Sequence, residues 1–135
     1  MRKNHTLATL AFAAAGFSFL IAGPALAAPQ VSKEVAAAAQ HAGLAAKGGD
    51  INEVHTHLHH TINCLVGPEG KGFAPKEMNP CKPLGTGAIP DTADAAKKKA
   101  LEAALAKAEA GLAETDFAKA KTAAADTQAA LTPLE

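Results

Sequence analysis

The chain contains no tryptophan and no tyrosine, and it has only five phenylalanines in 135 residues. Three of these, Phe12, Phe17 and Phe19, lie close to the amino terminus, so that only Phe73 and Phe117 occur in the rest of the chain. Single-stranded nucleic acids are bound by stacking on aromatic side chains, and cationic cofactors are held in aromatic cages. The scarcity of aromatic residues therefore argues against both kinds of site.

The sequence also lacks an apolar run long enough to cross a membrane. The run near the amino terminus, residues 7–22, has about 16 uncharged residues, whereas a spanning helix needs about 20. Basic residues precede this run, and small residues follow it up to the Ala-Leu-Ala at positions 25–27. This order is typical of a secretory signal that is cleaved after Ala27. We therefore expect residues 1–27 to be a signal peptide and the mature protein to be periplasmic or secreted.

Neither sign of charge is in excess. The chain has 13 basic and 13 acidic residues, and loss of Arg2 and Lys3 with the signal peptide would leave a formal charge of −2. A near-neutral chain lacks the basic surface that attracts nucleic acids and anionic membranes. We therefore predict neither as a partner of the mature protein, residues 28–135, which we expect to be a single domain.

Cysteine is scarce as well, because the chain has only Cys64 and Cys81. In an oxidising compartment an isolated pair predicts a disulfide. This bond would close a loop of about 18 residues and stabilise the fold by on the order of 3 kcal/mol. The alternative is a reduced pair that, together with Met78, would form a soft ligand set favouring Cu(I).

What the sequence does contain is alanine with helical periodicity. Apolar residues at spacings of three and four predict four helices, near residues 31–47, 51–66, 92–112 and 115–131. The expected N-caps are Asp50, Asp91 and Asp116, since an aspartate side chain accepts hydrogen bonds from the first backbone amides of a helix.

The connection between the second and third helices is unusually long. Residues 67–90 contain five glycines and five prolines, so no regular structure is expected there. The turns within the two halves of the chain are short, and short turns make antiparallel neighbours. We therefore predict an all-α fold, an antiparallel four-helix bundle of two helical hairpins, 28–66 and 91–135, joined by a long disulfide-stapled Gly/Pro loop.

Histidine is concentrated in one stretch of the second predicted helix, "EVHTHLHHTINC". On a helical wheel His57 and His60 share one flank with Glu53, and His55 and His59 share the other. Side chains three or four residues apart on a helix lie close enough to bind one ion. Neutral imidazole is a ligand of zinc, copper and nickel, and a carboxylate can fill a further position. Either flank is therefore a candidate metal site.

A further histidine, His41, lies on the first predicted helix, about as far before the Gly48-Gly49 turn as residues 55–57 lie after it. We expect it to face a histidine of the second helix and to complete a site with three ligands. The alternative is a solvated surface that is rich in imidazole but has no defined metal site.

The segment "AAQHAGLAAKGGDINEVHTHLHH" resembles the small periplasmic metal-binding proteins that fold as four-helix bundles decorated with histidine. The resemblance implies binding of copper, nickel or zinc for sequestration or tolerance. The residues that match are His41, His55, His57, His59 and His60. Residues 66–135 depart from the pattern because they contain no histidine, and that family requires neither the cysteine pair nor the Gly/Pro loop.

We therefore predict periplasmic binding or sequestration of a divalent transition metal. The alternative is a non-catalytic helical module that docks a periplasmic protein through the disulfide loop, with Phe73, Lys71, Lys76 and Met78 as contact residues. Haem binding is less well supported because a Cys-x-x-Cys-His motif is missing. An enzyme is not expected, since the mature chain has no Ser/His/Asp arrangement and no Gly-rich phosphate loop.

Overall fold

The computed structural model describes residues 28–135, so the predicted signal peptide lies outside the described residues. Within this range the protein is all-helical and has no strand. Its elements are α1 (Val31–Lys47), α2 (Ile51–Val66), the short α3 (Ala88–Asp91), α4 (Ala95–Ala113), α5 (Phe117–Leu131) and a final 3₁₀ turn (Thr132–Leu134). None of these helices combines the length and the apolar character that crossing a membrane would require.

The first two helices begin and end at the predicted residues, and the turn between them shows why. Asp50 Oδ1 accepts a hydrogen bond from the Glu53 amide at 2.9 Å, and Glu53 Oε2 accepts one from the Gly49 amide at 2.8 Å. Each carboxylate thus satisfies a backbone donor at the start of α2, where no intrahelical acceptor exists. At the other end Gly67 takes a φ of 68°, which glycine adopts without steric cost, and the helix stops.

The predicted start of the next long helix was wrong. Asp94, not Asp91, caps α4, because its Oδ1 accepts from the Lys97 amide at 2.6 Å. Asp91 instead ends α3, where its carboxylate accepts from the amide and the hydroxyl of Thr86. The segment expected to lack regular structure therefore ends in a helical turn. The third predicted cap is confirmed, since Asp116 accepts from the Lys119 amide at 2.9 Å at the start of α5.

Alanine is the most frequent residue of the core. Helix α1 packs against α2 and α5, and α4 packs against α5 and α2. The largest fully buried apolar side chains are those of Leu58, Ile62, Leu65, Leu101 and Leu131. Small residues let the helices approach closely: a Cβ added at Gly111 of α4 would lie 2.8 Å from Leu58 Cδ1 of α2. Such helices bury little apolar area per residue, so the hydrophobic stabilisation of the core is modest.

Phe117 does not join the core. It is 38% exposed at the start of α5, and the Lys121 ammonium lies 5.1 Å from the centre of its ring. The aromatic ring therefore lies at the surface, in contact with a lysine of its own helix.

The long loop after α2 is tied to that helix at two neighbouring positions. Cys64 and Cys81 form the predicted disulfide, with Cα atoms 5.1 Å apart, and both are buried. One residue earlier, Asn63 donates to the carbonyls of Ala74 and Met78, both at 3.1 Å, and accepts from the Ala74 amide at 2.8 Å. The loop therefore has a defined course across the end of α2 although it has little regular structure.

A buried carboxyl group holds the end of this loop against α1. Glu34 is fully buried, its Oε1 accepts from the Gly87 amide at 3.1 Å, and its Oε2 has no hydrogen-bond partner. Burial raises the pKa of Glu34, and the nearby Asp91 carboxylate raises it further, although the hydrogen bond from Gly87 acts in the opposite direction. The fold therefore shifts the protonation equilibrium of Glu34 towards the neutral carboxyl group.

The disulfide should contribute a large share of the stability of so thin a core. Replacing both cysteines by alanine, Cys64→Ala with Cys81→Ala, should lower the free energy of unfolding by about 3 kcal/mol, because the open chain gains loop entropy when it unfolds. Urea denaturation followed by circular dichroism measures this difference. An unchanged midpoint and slope would show that the Asn63 hydrogen bonds alone define the loop.

Glu34 should lower the free energy of unfolding at neutral and alkaline pH. Its folded-state pKa lies above the unfolded value, so the associated stability is fully present below that unfolded value and is lost as pH rises through the folded pKa. Glu34→Gln should therefore raise the free energy of unfolding at pH 8, and its advantage should shrink as pH falls towards 4. Thermal denaturation at several pH values tests this, and a variant less stable than the wild type at pH 8 would refute it.

Candidate metal centre

Two adjacent helices bring three histidines together. Thr61 of α2 donates from Oγ1 to the Ala38 carbonyl of α1 at 3.2 Å, which fixes the contact between the two helices. About one turn after Ala38 in α1 and one turn before Thr61 in α2, His41 faces His57. His60 lies three residues after His57 on the same flank of α2, so its ring meets the other two.

The three imidazole rings form a compact triangle, which we call the histidine cluster: His41, His57 and His60. Their ring centroids are 5.4, 5.0 and 5.5 Å apart. Each ring offers one nitrogen as a ligand, and these three nitrogens all lie within 4.8 Å of one another. The Nδ1 atoms of His41 and His57 are 3.2 Å apart, so one ring donates a hydrogen bond and the other accepts it. This contact requires at least one of the two rings to be neutral.

Burial keeps the cluster in the form that binds metals. His60 is only 5% exposed, and His41 and His57 are half-buried. Burial lowers the pKa of His41 to about 4, and the proximity of His60 and His57 contributes to this shift. Burial likewise lowers the pKa of His60, with the charge of a protonated His57 as the next cause. His41 and His60 therefore have free lone pairs at neutral pH, as metal ligation requires.

An acidic side chain from the long loop lies beside the cluster. Glu77 Oε2 is 3.9 Å from His60 Nε2, while the other ring nitrogen, His60 Nδ1, is buried without a hydrogen-bond partner. Glu77 was not among the residues predicted from the sequence. The available signal was indirect, since the pairing of Cys64 with Cys81 implied that part of the loop returns to α2 near His60.

The other predicted ligands lie outside the cluster. His55 bonds through Nε2 to the Glu114 carbonyl at 3.0 Å, between α2 and the end of α4. His59 is half-buried, and its Nδ1 has no partner. Glu53 is exposed and is occupied in capping α2. Cys64 is part of the disulfide and does not provide a thiolate. Of the two predicted flanks, the structure therefore brings together the one that carries His57 and His60, with His41 added from α1.

The potential ligands of the cluster are all of one kind: three imidazoles from two helices, with no sulfur among them. Imidazole nitrogens are ligands of zinc, copper and nickel. Within residues 28–135, we find one group of at least three potential ligands that lie close enough together to hold one ion, and it is formed by these histidines.

Comparison of the chain with protein-family models, with curated proteins and with solved structures finds no match.

The pKa of His41 leads to a prediction for the metal-free protein. Its folded-state pKa, about 4, lies below the value of 6.5 expected when the chain is unfolded. Between these values the unfolded chain binds a proton that the folded chain excludes, so this histidine makes stability fall as pH decreases from 6.5 to 4. His41→Gln removes this contribution, and its free energy of unfolding should fall less over that range.

Urea denaturation in the presence of a chelator, at half-unit steps of pH, measures the two slopes. Parallel slopes for the wild type and His41→Gln would show that His41 takes up its proton as readily in the folded chain as in the unfolded one.

Proposed function

We propose that this protein binds or sequesters a divalent transition metal, copper, zinc or nickel, in the periplasm, and that the histidine cluster is the binding site. The observation that carries the proposal is the convergence of one nitrogen from each of His41, His57 and His60 within 4.8 Å. Because ligands on different helices must be positioned by packing, a metal ion would link α1 to α2 rather than rest on one helix surface.

The burial of the cluster supports a defined site over a solvated surface. An exposed histidine stripe would keep its rings hydrated, whereas His60 is 5% exposed and has a buried nitrogen without a partner. A buried polar atom without a partner costs free energy, typically about 1–3 kcal/mol. A metal ion at Nδ1 would satisfy this atom, so the orphaned nitrogen is accounted for if the site binds an ion.

Because both cysteines are oxidised, the proposed site has nitrogen ligands and no thiolate, which favours Zn²⁺, Cu²⁺ or Ni²⁺ over Cu(I). Thiolates would select Cu(I), but Cys64 and Cys81 are joined in a disulfide. Nitrogen ligands alone suit Zn²⁺, Cu²⁺ and Ni²⁺, and the choice among them would follow from which ions the compartment supplies. The predicted signal peptide and the disulfide together support the periplasm as that compartment.

The helical scaffold of this proposal is an antiparallel four-helix bundle of α1, α2, α4 and α5. The pairings of Ala38 with Thr61 and of His41 with His57 support opposite directions for the first two helices. Such a bundle resembles the histidine-decorated periplasmic metal-binding proteins, and the proposed role is non-catalytic, as in that family. The second candidate, a module that docks a protein partner through its loop, is favoured by one observation: Met78 is 58% exposed at the loop surface.

Isothermal titration of the purified metal-free protein with Zn²⁺ and Cu²⁺ tests the proposal. We expect one ion per chain. His57→Ala should weaken binding by more than about 100-fold, since loss even of a residue outside the ligand set typically costs about 10–100-fold. His41→Ala should have a comparable effect, because both side chains would be direct ligands.

The matched control is the double variant His55→Ala with His59→Ala, which removes two imidazoles from the same helix and leaves the cluster intact. It should bind the ion with the affinity of the wild type. Equal losses in the cluster variants and in the control would indicate a diffuse imidazole surface, and the interaction module would then be the better account. Circular dichroism of each variant verifies that it is folded.

A further inference from the structure

We propose that Glu77 is a positioning residue of the metal site: it faces His60 Nε2, keeps the proton on that nitrogen and directs the lone pair of Nδ1 to the ion. This inference rests on the proposed function, and it names a group outside the histidine cluster on which the affinity of the site depends. In metal sites a ligating imidazole commonly donates its second N–H to a carboxylate, which fixes the tautomer and makes the ligand more basic.

The two nitrogens of His60 have different surroundings. Nε2 lies 3.9 Å from Glu77 Oε2, the side where a proton is stabilised by a negative charge. Nδ1 is buried and has no partner. Of the two neutral tautomers, the one with the proton on Nε2 places its N–H towards the carboxylate and leaves the unpartnered atom as an acceptor. That atom is the nitrogen we assign to the metal.

The backbone of the loop is attached to α2 around Glu77, which keeps this residue next to His60. Its amide donates to the Ala74 carbonyl at 3.1 Å, and Asn63 bonds to Ala74 and to the carbonyl of the next residue, Met78. Asn63 lies one turn of α2 beyond His60, and the adjacent Cys64 is joined by the disulfide to Cys81. Two attachments of the loop to the helix that carries His60 thus hold the backbone on either side of Glu77.

Charge gives Glu77 a second effect on the same site. Three neutral imidazoles leave the two positive charges of the ion uncompensated. A nearby carboxylate lowers the free-energy cost of holding that charge in a partly buried site. At 3.9 Å the carboxylate and the imidazole are an electrostatic pair rather than a hydrogen-bonded one. Binding of a cation at Nδ1 would polarise the Nε2–H bond, and the half-exposed Glu77 side chain is free to close the remaining gap.

The test compares three variants of the full protein: Glu77→Ala, Glu77→Gln and, as the control, Glu69→Gln, which removes one exposed acidic charge from the same loop. We expect Glu77→Ala to weaken Zn²⁺ binding by about 10–100-fold in a competition titration. Glu77→Gln keeps an acceptor for the Nε2–H and should lose less. Glu69→Gln should bind like the wild type.

Two spectroscopic measurements separate positioning from a structural role or from direct ligation. In ¹⁵N NMR of the metal-free wild type, His60 should be protonated at Nε2 and unprotonated at Nδ1, and Glu77→Ala should mix the tautomers. The visible absorption bands of the Co²⁺-loaded protein should keep their shape and intensity in Glu77→Gln, because the coordinating atoms are unchanged.

The outcomes distinguish the two proposals. Failure of the wild type to bind Zn²⁺ or Cu²⁺ overturns the proposed function, whereas normal binding by Glu77→Ala overturns only the role of Glu77. A proton on Nδ1 of His60 in the wild type also overturns that role. Altered Co²⁺ bands in Glu77→Gln would make the carboxylate a direct ligand, which likewise contradicts a positioning residue.

Discussion

The close packing of α1 on α2 is the contact on which the rest of the structure depends. Most of the buried residues of α1 are alanines, and the hydroxyl of Thr61 of α2 donates to the carbonyl of one of them, Ala38, at 3.2 Å. Larger side chains would separate the helices and move His41 away from His57, whose Nδ1 atoms are 3.2 Å apart. The same residues that make the core thin therefore make the histidine cluster compact. Stability and site geometry both follow from the use of alanine at this interface.

Because alanine contributes little hydrophobic area, other interactions have to hold the parts of the chain that are not helical. The disulfide and Asn63 attach the long loop to the end of α2. Near the other end of the loop, the Gly87 amide donates a hydrogen bond to the Glu34 carboxyl group. These attachments accompany the approach of Glu77 to 3.9 Å from His60, so the loop places a charged side chain next to the cluster. The buried Glu34 and the buried imidazoles have opposite pH requirements, since the fold favours a protonated carboxyl group and neutral histidines.

The sequence predicted the helices well wherever a local signal marked their ends. The Asp50 cap and the glycines around α2 marked where the first two helices begin and end, and the pairing of the two cysteines followed from their number and the expected compartment. The start of α4 was misplaced because Asp91 and Asp94 are equally good caps by residue type. The choice between them depends on Thr86, which engages the Asp91 carboxylate through a tertiary contact that no local pattern reveals.

The site was predictable only in part for the same reason. The spacing of the histidines marked both flanks of α2 as candidates, because each flank carries two imidazoles within one turn. Which flank becomes a cluster depends on where α1 packs, and His41 was the one indication of that. Glu77 lies in a part of the chain with no helical period, and the Gly87 amide that donates to Glu34 belongs to the same loop, so both contacts depend on the course of the loop. Periodicity predicts the face of a helix but not what a distant loop brings to it.

X-ray absorption spectroscopy of the protein loaded with one equivalent of Zn²⁺ or Cu²⁺ tests the central claim most directly. The account predicts a first coordination shell of nitrogen and oxygen, with the outer-shell scattering of three imidazole rings and no sulfur. A sulfur scatterer, or the signature of a single imidazole with the remaining positions filled by water, would contradict a site formed by His41, His57 and His60.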